Sequence, residues 1–204
     1  MTILSIARTE LILGGQRSGK SRRAELLARD WLAQSPDHAG VFVATAQAWD
    51  VEMCERIARH QADRAERLPG MLTVEEPLAL ADVLERHSKP RTIVVIDCLT
   101  LWLTNLLMPP QSDENTVNID ENKEIDAAVR SARSSLAMLL VAFKKAPGPV
   151  LLVGKEIGLG VIPLGREIRT FVDELGRLNQ EVAASCARVT LMVAGLPLTL
   201  KGQP

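Results

Sequence analysis

Residues 10–33 run without a break from an apolar segment through a glycine-bearing turn into a segment of helical period, ELILGGQRSGKSRRAELLARDWLA. Within it Gly14, Gly15, Gln16, Arg17, Ser18, Gly19, Lys20 and Ser21 fit the pattern GxxxxGK[ST]. That pattern has a mechanism when it follows a strand and opens a helix: the glycines let backbone N–H groups turn inward around phosphate oxygens, and the helix N-terminus adds the positive end of its dipole. The geometry predicts that Lys20 reaches the β and γ phosphates of ATP or GTP, and that Ser21 ligates Mg²⁺. Such a loop needs a strand whose carboxyl end opens into it, which commits the chain to an α/β architecture.

The rest of the sequence agrees. Short apolar runs recur at residues 11–13, 41–44, 92–96, 150–153 and 189–194. TIVVID and VLLVG are apolar without alternation, as strands covered on both faces must be. Between them lie helical stretches, such as residues 21–33 with Ala24, Leu27, Ala28 and Trp31 at spacings of three and four, and residues 120–145, ended by Pro147 and Gly148. A weaker strand at residues 72–75 precedes a helix at 77–87, and the last strand turns into residues 198–200. The expected fold is a P-loop NTPase-type, doubly wound, mostly parallel sheet flanked by helices. With 204 residues the expectation is one nucleotide-binding domain over residues 1–204, carrying an N-terminal extension at 1–9 and a polar surface loop at 109–120.

A net charge of -1 and the lack of a basic block argue against nucleic acid as the partner and favour a small molecule. Three cysteines, Cys54, Cys98 and Cys186, are odd in number and sit in apolar or helical segments, which fits a reducing, cytoplasmic compartment. No apolar run approaches the roughly 18 residues of a membrane span, and residues 1–10 lack the pattern of a signal peptide.

Two further residues bear on chemistry. Asp97 closes the apolar run 92–96, where an acidic group is expected to hold the metal through water; without the phosphate loop, an Asp capping the next helix would be the preferred reading. Residues 50–64 read as a helix with Met53, Ile57 and His60 on one face and Arg56 and Arg64 close by. An imidazole there can attack phosphorus, with guanidinium groups neutralising the oxygens. Spacing alone does not separate that role from a surface or capping histidine.

The segments ELILGGQRSGKSRRAE, VATAQAWDVEMCERIARHQADR, LTVEEP, IDCLTLWLTNLL and KEIGLGVIPLGREIRTFVDELGRLNQEVAASCARVTLMVAGLPLTLK follow one another in this order. Together they resemble the bifunctional adenosylcobinamide kinase / adenosylcobinamide-phosphate guanylyltransferase family of cobalamin synthesis, over about residues 10–201. The resemblance implies phosphorylation of the aminopropanol hydroxyl of adenosylcobinamide, then transfer of GMP from GTP to that phosphate. It implies a GMP-histidine at His60, in the motif RIxxH, and nucleotide contacts at Gly14 to Ser21, at Thr45, Ala46 and Gln47, at Gln61, Ala62, Asp63 and Arg64, at Glu75 and at Asp97. It further implies a homo-oligomer whose subunit interfaces form the active clefts. Lys155 departs from the family pattern, which has an asparagine there beside Glu156, Gly158 and Gly160. Other readings are a P-loop kinase or NTPase acting on another small molecule, and a GTP-binding switch. The switch's NKxD signature is missing, since Asn122-Lys123 continues into Glu124-Ile125.

Overall fold

The computed structural model describes residues 5–48, 51–109, 121–161 and 164–203, apart from the side chains of Glu52, Arg56, His60, Asp63 and Glu121. The chain begins with β1 (Thr9–Gly14), α1 (Lys20–Ala33), β2 (Ala39–Ala44), α2 (Val51–Arg67), β3 (Leu72–Glu75) and α3 (Leu80–His87). It continues with β4 (Thr92–Asp97), α4 (Leu99–Leu107), α5 (Glu121–Lys145), β5 (Val150–Val153), α6 (Arg166–Ser185), β6 (Arg188–Val193) and β7 (Leu196–Lys201). The strands form one seven-stranded sheet in the order β3-β2-β4-β5-β1-β6-β7. β1 to β6 pair in parallel, and only β7 turns back antiparallel on β6. The chain leaves β1 toward the β3 edge and returns through β4 and β5, so the carboxyl end of β1 lies where the winding changes direction.

Burial explains why the strands carry no polar alternation. Leu11, Leu13, Val94, Ile96, Val150 and Leu152 face one layer, made by α3, α4, α5 and α6 through residues such as Leu84, Trp102, Leu139, Phe143 and Leu178. Ile12, Ile93, Val95, Leu151 and Val153 face the other way, against Ala24, Leu27 and Ala28 of α1 and Leu68 just past α2. Side chains point alternately to opposite sides of a strand, so two covered faces require apolar residues at every position.

Boundaries moved in two places. α2 runs three residues beyond the expected end, to Arg67, and α3 starts at Leu80, three residues later than expected. The late start has a cause: Glu76 Oε1 accepts hydrogen bonds from the N–H groups of Leu78 (2.9 Å) and Ala79 (2.8 Å), which holds this stretch as a turn ahead of the helix. Most of the expected surface loop, residues 110–120, lies outside the described residues, as do residues 1–4 of the expected extension.

Beneath the amino end of β1 is a buried ion pair. Glu10 and Arg188 are register partners in β1 and β6, and both are at most 2% exposed. The guanidinium donates to Glu10 Oε2 from Nε (2.8 Å) and Nη2 (2.6 Å), while Thr190 Oγ1 donates to Oε1 at 2.7 Å. Nη2 also donates to the carbonyl of Ser5, tying the amino-terminal segment to the sheet. Losing one member of such a pair strands the other in low dielectric, so Arg188→Met is expected to cost about 3–5 kcal/mol in denaturant unfolding. Glu10→Leu combined with Arg188→Met is expected to cost less than the single change.

Candidate active site

Parallel pairing places the expected site residues along one edge of the sheet. Glu75 pairs with Ala44, Ala44 with Asp97, Asp97 with Val153, and Val153 with Ile12. These positions form one row across β3, β2, β4, β5 and β1, so everything that follows them in the chain emerges at the same end. Gly14 lies two residues past the row on β1, and Thr45, Ala46 and Gln47 follow it on β2. With strands about 4.8 Å apart, Asp97 lies roughly 10 Å from the β1 line, with β5 between them.

The phosphate loop turns from β1 into α1. A methyl group on Gly14 would stand 2.5 Å from the Met192 carbonyl and 2.6 Å from Ser18 Oγ, so only glycine fits there. Gly19 caps α1 at φ +99°, a left-handed conformation that glycine adopts without strain, and Arg17 takes φ +53° in the turn before it. The loop is held from behind by the β6–β7 turn, where the Gly195 N–H donates to the Ser18 carbonyl at 3.1 Å. Lys20 is 8% exposed and folds back on the loop, donating to the Gly15 carbonyl (2.5 Å) and to Ser18 Oγ (3.3 Å). Burial lowers its pKa from the ordinary 10.5, partly offset by Asp97, and Lys155 pushes in the same direction as burial.

Across the row, α2 and β3 enclose a cavity of about 450 Å³ lined by Gln61, Arg64, Ala65, Leu68, Gly70, Met71, Thr73 and Glu75. Gln61 Nε2 donates to Glu75 Oε1 at 2.6 Å. The Arg64 guanidinium is buried with its carbon 4.0 Å above the Phe42 ring centre. Burial lowers its pKa, opposed by Asp97, Glu25 and Glu75, which places this cation within the field of two strand-end carboxylates and of Glu25 on α1. Gln61, Arg64 and Glu75 are therefore together, and Asp97 is electrostatically coupled to both Arg64 and Lys20. Ala62 is exposed on α2. His60 and Asp63 belong to the same helix, with side chains outside the described residues.

Thr45, expected as a nucleotide contact, also positions backbone, and Asn105, Thr100 and Asn179, which carry no motif, do the same. Thr45 Oγ1 donates to the Cys98 carbonyl and accepts from the Cys98 N–H, both at 2.8 Å, joining the ends of β2 and β4. Asn105 of α4 donates to the carbonyls of Thr45 (2.8 Å) and Pro77 (3.1 Å). Thr100 and Asn179 grip the backbone of Lys155, and the Glu156 N–H reaches the Gly14 carbonyl at 3.2 Å. Thr100, Asn105 and Asn179 lie inside helices α4 and α6, where an asparagine or threonine carries no sequence signal for such long-range contacts to backbone.

An anion-receptive loop opening from a parallel sheet, faced by a carboxylate at a nearby strand end, is the arrangement of P-loop nucleotide-binding proteins, and this chain has that fold. A family model described as cobinamide kinase / cobinamide phosphate guanyltransferase matches residues 10–200, and the chain belongs to that family. It is 47% identical over 196 residues to the bifunctional adenosylcobalamin biosynthesis protein CobP of Pseudomonas aeruginosa, covering 96% of this chain and 98% of that protein. It is 33% identical over 191 residues to the bifunctional adenosylcobalamin biosynthesis protein CobU of Escherichia coli, covering 94% and 98%. Among solved structures, flagellar accessory protein FlaH from Methanocaldococcus jannaschii shares the fold, with a TM-score of 0.51 at 12% identity over 97% of this chain and 80% of that one.

The buried Lys20 yields a prediction with a definite sign. A folded state that holds a lysine proton less tightly than the unfolded chain gains stability as pH rises from the lowered pKa toward 10.5. Lys20→Met, which removes the buried charge altogether, is expected to raise the melting temperature of the nucleotide-free protein at neutral pH. The same variant is expected to lose about 100-fold or more in nucleotide affinity by calorimetry.

Proposed function

We propose that this chain phosphorylates the aminopropanol hydroxyl of adenosylcobinamide with ATP or GTP, then transfers GMP from GTP to the new phosphate, giving adenosylcobinamide-GDP and pyrophosphate. The observation that carries the reading is the row of strand ends, which brings the phosphate loop, Asp97 and Glu75 to one edge of the sheet, where Gln61 of α2 donates to Glu75. Family membership over residues 10–200 supports the corrinoid as acceptor.

In this reading the backbone N–H groups of Gly14, Gly15, Gln16, Arg17, Ser18 and Gly19 cradle the phosphates, and Lys20 leaves the Gly15 carbonyl to meet the β and γ phosphates. Ser21 and Asp97 offer hard oxygen donors at the two sides of the row, which suits Mg²⁺, an ion that keeps waters and shares phosphate oxygens. Bound there, Mg²⁺ would neutralise charge on the phosphates. Gln61, Ala62, Asp63, Arg64 and Glu75, with residues 45–47, hold the rest of the nucleotide.

His60 precedes Arg64 by one helical turn. Its imidazole nitrogen attacks the α-phosphorus of GTP, forming a P–N bond as the bond to the bridging oxygen breaks and pyrophosphate leaves. An oxygen of adenosylcobinamide phosphate then attacks the same phosphorus and the P–N bond breaks. Arg64 and Lys20 offset the charge on the oxygens in each displacement.

The chain is further proposed to work as a homo-oligomer in the reducing cytoplasm. Leu196, Leu198 and Leu200 expose more than half of their surface along the free edge strand β7, and the described cysteines form no disulfide. Among the described residues no helix is long and apolar enough to cross a membrane.

Chromatographic analysis of corrinoid products separates the two steps. His60→Ala is expected to accumulate adenosylcobinamide phosphate at a rate within about tenfold of wild type while guanylyl transfer falls about 1000-fold or more. Lys20→Ala is expected to form neither product. Loss of phosphorylation in a folded His60→Ala protein, or retained transfer, would contradict the division of roles.

A further inference from the structure

Lys155 stands on the loop that leaves β5, and β5 lies between β4, which ends in Asp97, and β1, which ends in the phosphate loop. The register fixes its height. Val153 pairs with both Asp97 and Ile12, so residue 155, two further on, stands level with Gly14, two past Ile12. The hydrogen bond from the Glu156 N–H to the Gly14 carbonyl, 3.2 Å, confirms the approach.

The backbone of Lys155 is clamped on both sides: its N–H donates to Thr100 Oγ1 at 2.8 Å, and its carbonyl accepts from Asn179 Nδ2 at 3.1 Å. The adjacent carboxylate is directed elsewhere, Glu156 Oε1 accepting from the Gly158 N–H and Oε2 facing Asn179. Lys155 forms no ion pair among the described residues. Its charge is felt at Lys20, where it opposes protonation. Lys20, which is buried, and Lys155, which is half-buried, therefore lie near each other beside the phosphate loop, with Asp97 offsetting their repulsion in part and an entering phosphate able to offset the rest.

We propose that Lys155 is a second cation for the terminal phosphates of the bound nucleoside triphosphate, making this chain's site discriminate triphosphates from monophosphates more strongly than an asparagine at that position would. The assignment rests on reading the phosphate loop as the nucleotide site. A terminal phosphate held by Lys20 from the β1 side would lie over the mouth of β5, between Lys20 and the Asp97 side of the row, where Lys155 is launched. The clamp by Thr100 and Asn179 fixes the origin of the side chain, so little ordering is needed when the phosphate arrives.

The test uses the full chain with Mg²⁺ and no corrinoid, comparing by calorimetry GMP with the α,β-methylene analogue of GTP, which resists cleavage at the α-phosphorus. Lys155→Asn and Lys155→Met are each expected to weaken the triphosphate analogue about tenfold while GMP stays within about twofold, and Lys155→Arg to keep the analogue within about threefold of wild type. Two independent neutral variants, each checked by thermal melting, guard against a folding defect in one. Equal losses for both nucleotides would mean that Lys155 only shapes the loop, and unchanged affinity for the analogue would mean that no phosphate reaches it. Either result overturns the proposal while leaving the nucleotide-site reading intact, whereas a folded wild type that binds neither nucleotide overturns both.

Discussion

The parallel register of the central strands is the constraint from which the rest of this protein follows. Because Glu75, Ala44, Asp97, Val153 and Ile12 stand in one row, the segments that continue from β1 to β5 must gather at a single edge of the sheet. A one-residue slip in any of these pairings would turn a strand's buried side chains to the opposite face and break contact with one of the two helical layers. The two-sided burial that holds the register is thus the same force that assembles the site. At the opposite end of the sheet the Glu10–Arg188 pair fixes β1 against β6, so the strand that feeds the phosphate loop is pinned below by charge and above by the β6–β7 turn.

The site itself runs against the local energetics. Lys20 is buried with its ammonium against a carbonyl and a hydroxyl, Arg64 is buried over an aromatic ring, and Lys155 adds repulsion to Lys20. Burial disfavours the charged forms of Lys20 and Arg64, and Asp97, joined at Arg64 by Glu25 and Glu75, compensates only in part. Buried cations beside a backbone cradle are held in place by the surrounding packing, and a phosphate bound there would be stabilised by them, which is how preorganised electrostatics favour a charged ligand. Thr45, Thr100, Asn105 and Asn179 supply the rigidity, each bonding to main chain of a neighbouring segment and so fixing where the reactive side chains start.

The fold was largely legible because its signals are local. Apolar runs without alternation marked the strands, and the glycine pattern between strand and helix marked the phosphate loop. The start of α3 was misjudged because a single carboxylate, Glu76, holds the chain in a turn where helical periodicity is already visible. The site was legible only where a motif carries its own mechanism, as at Lys20. Asp97 as a strand-end carboxylate and a helix-capping Asp look alike until the structure puts Cys98 at the N-cap of α4 and register sets Asp97 level with Glu75. Gln61 and Arg64 needed the tertiary fold, since their meeting with Glu75 joins α2 to β3, and the clamps around Lys155 and Thr45 join segments far apart in the chain and leave no trace in sequence pattern. His60 was brought forward by family resemblance, because one imidazole on a helix has no distinguishing spacing.

The central claim is that one nucleotide site at this sheet edge hands GMP to His60. It is tested most directly by incubating the protein with Mg²⁺ and GTP labelled at the α-phosphate, quenching in alkali and following protein-bound label, since a phosphoramidate survives alkali and is lost in acid. The account predicts alkali-stable, acid-labile label on the wild type and none on His60→Ala. A folded, GTP-binding wild type that acquires no label, or a His60→Ala protein labelled to the same extent, would contradict it.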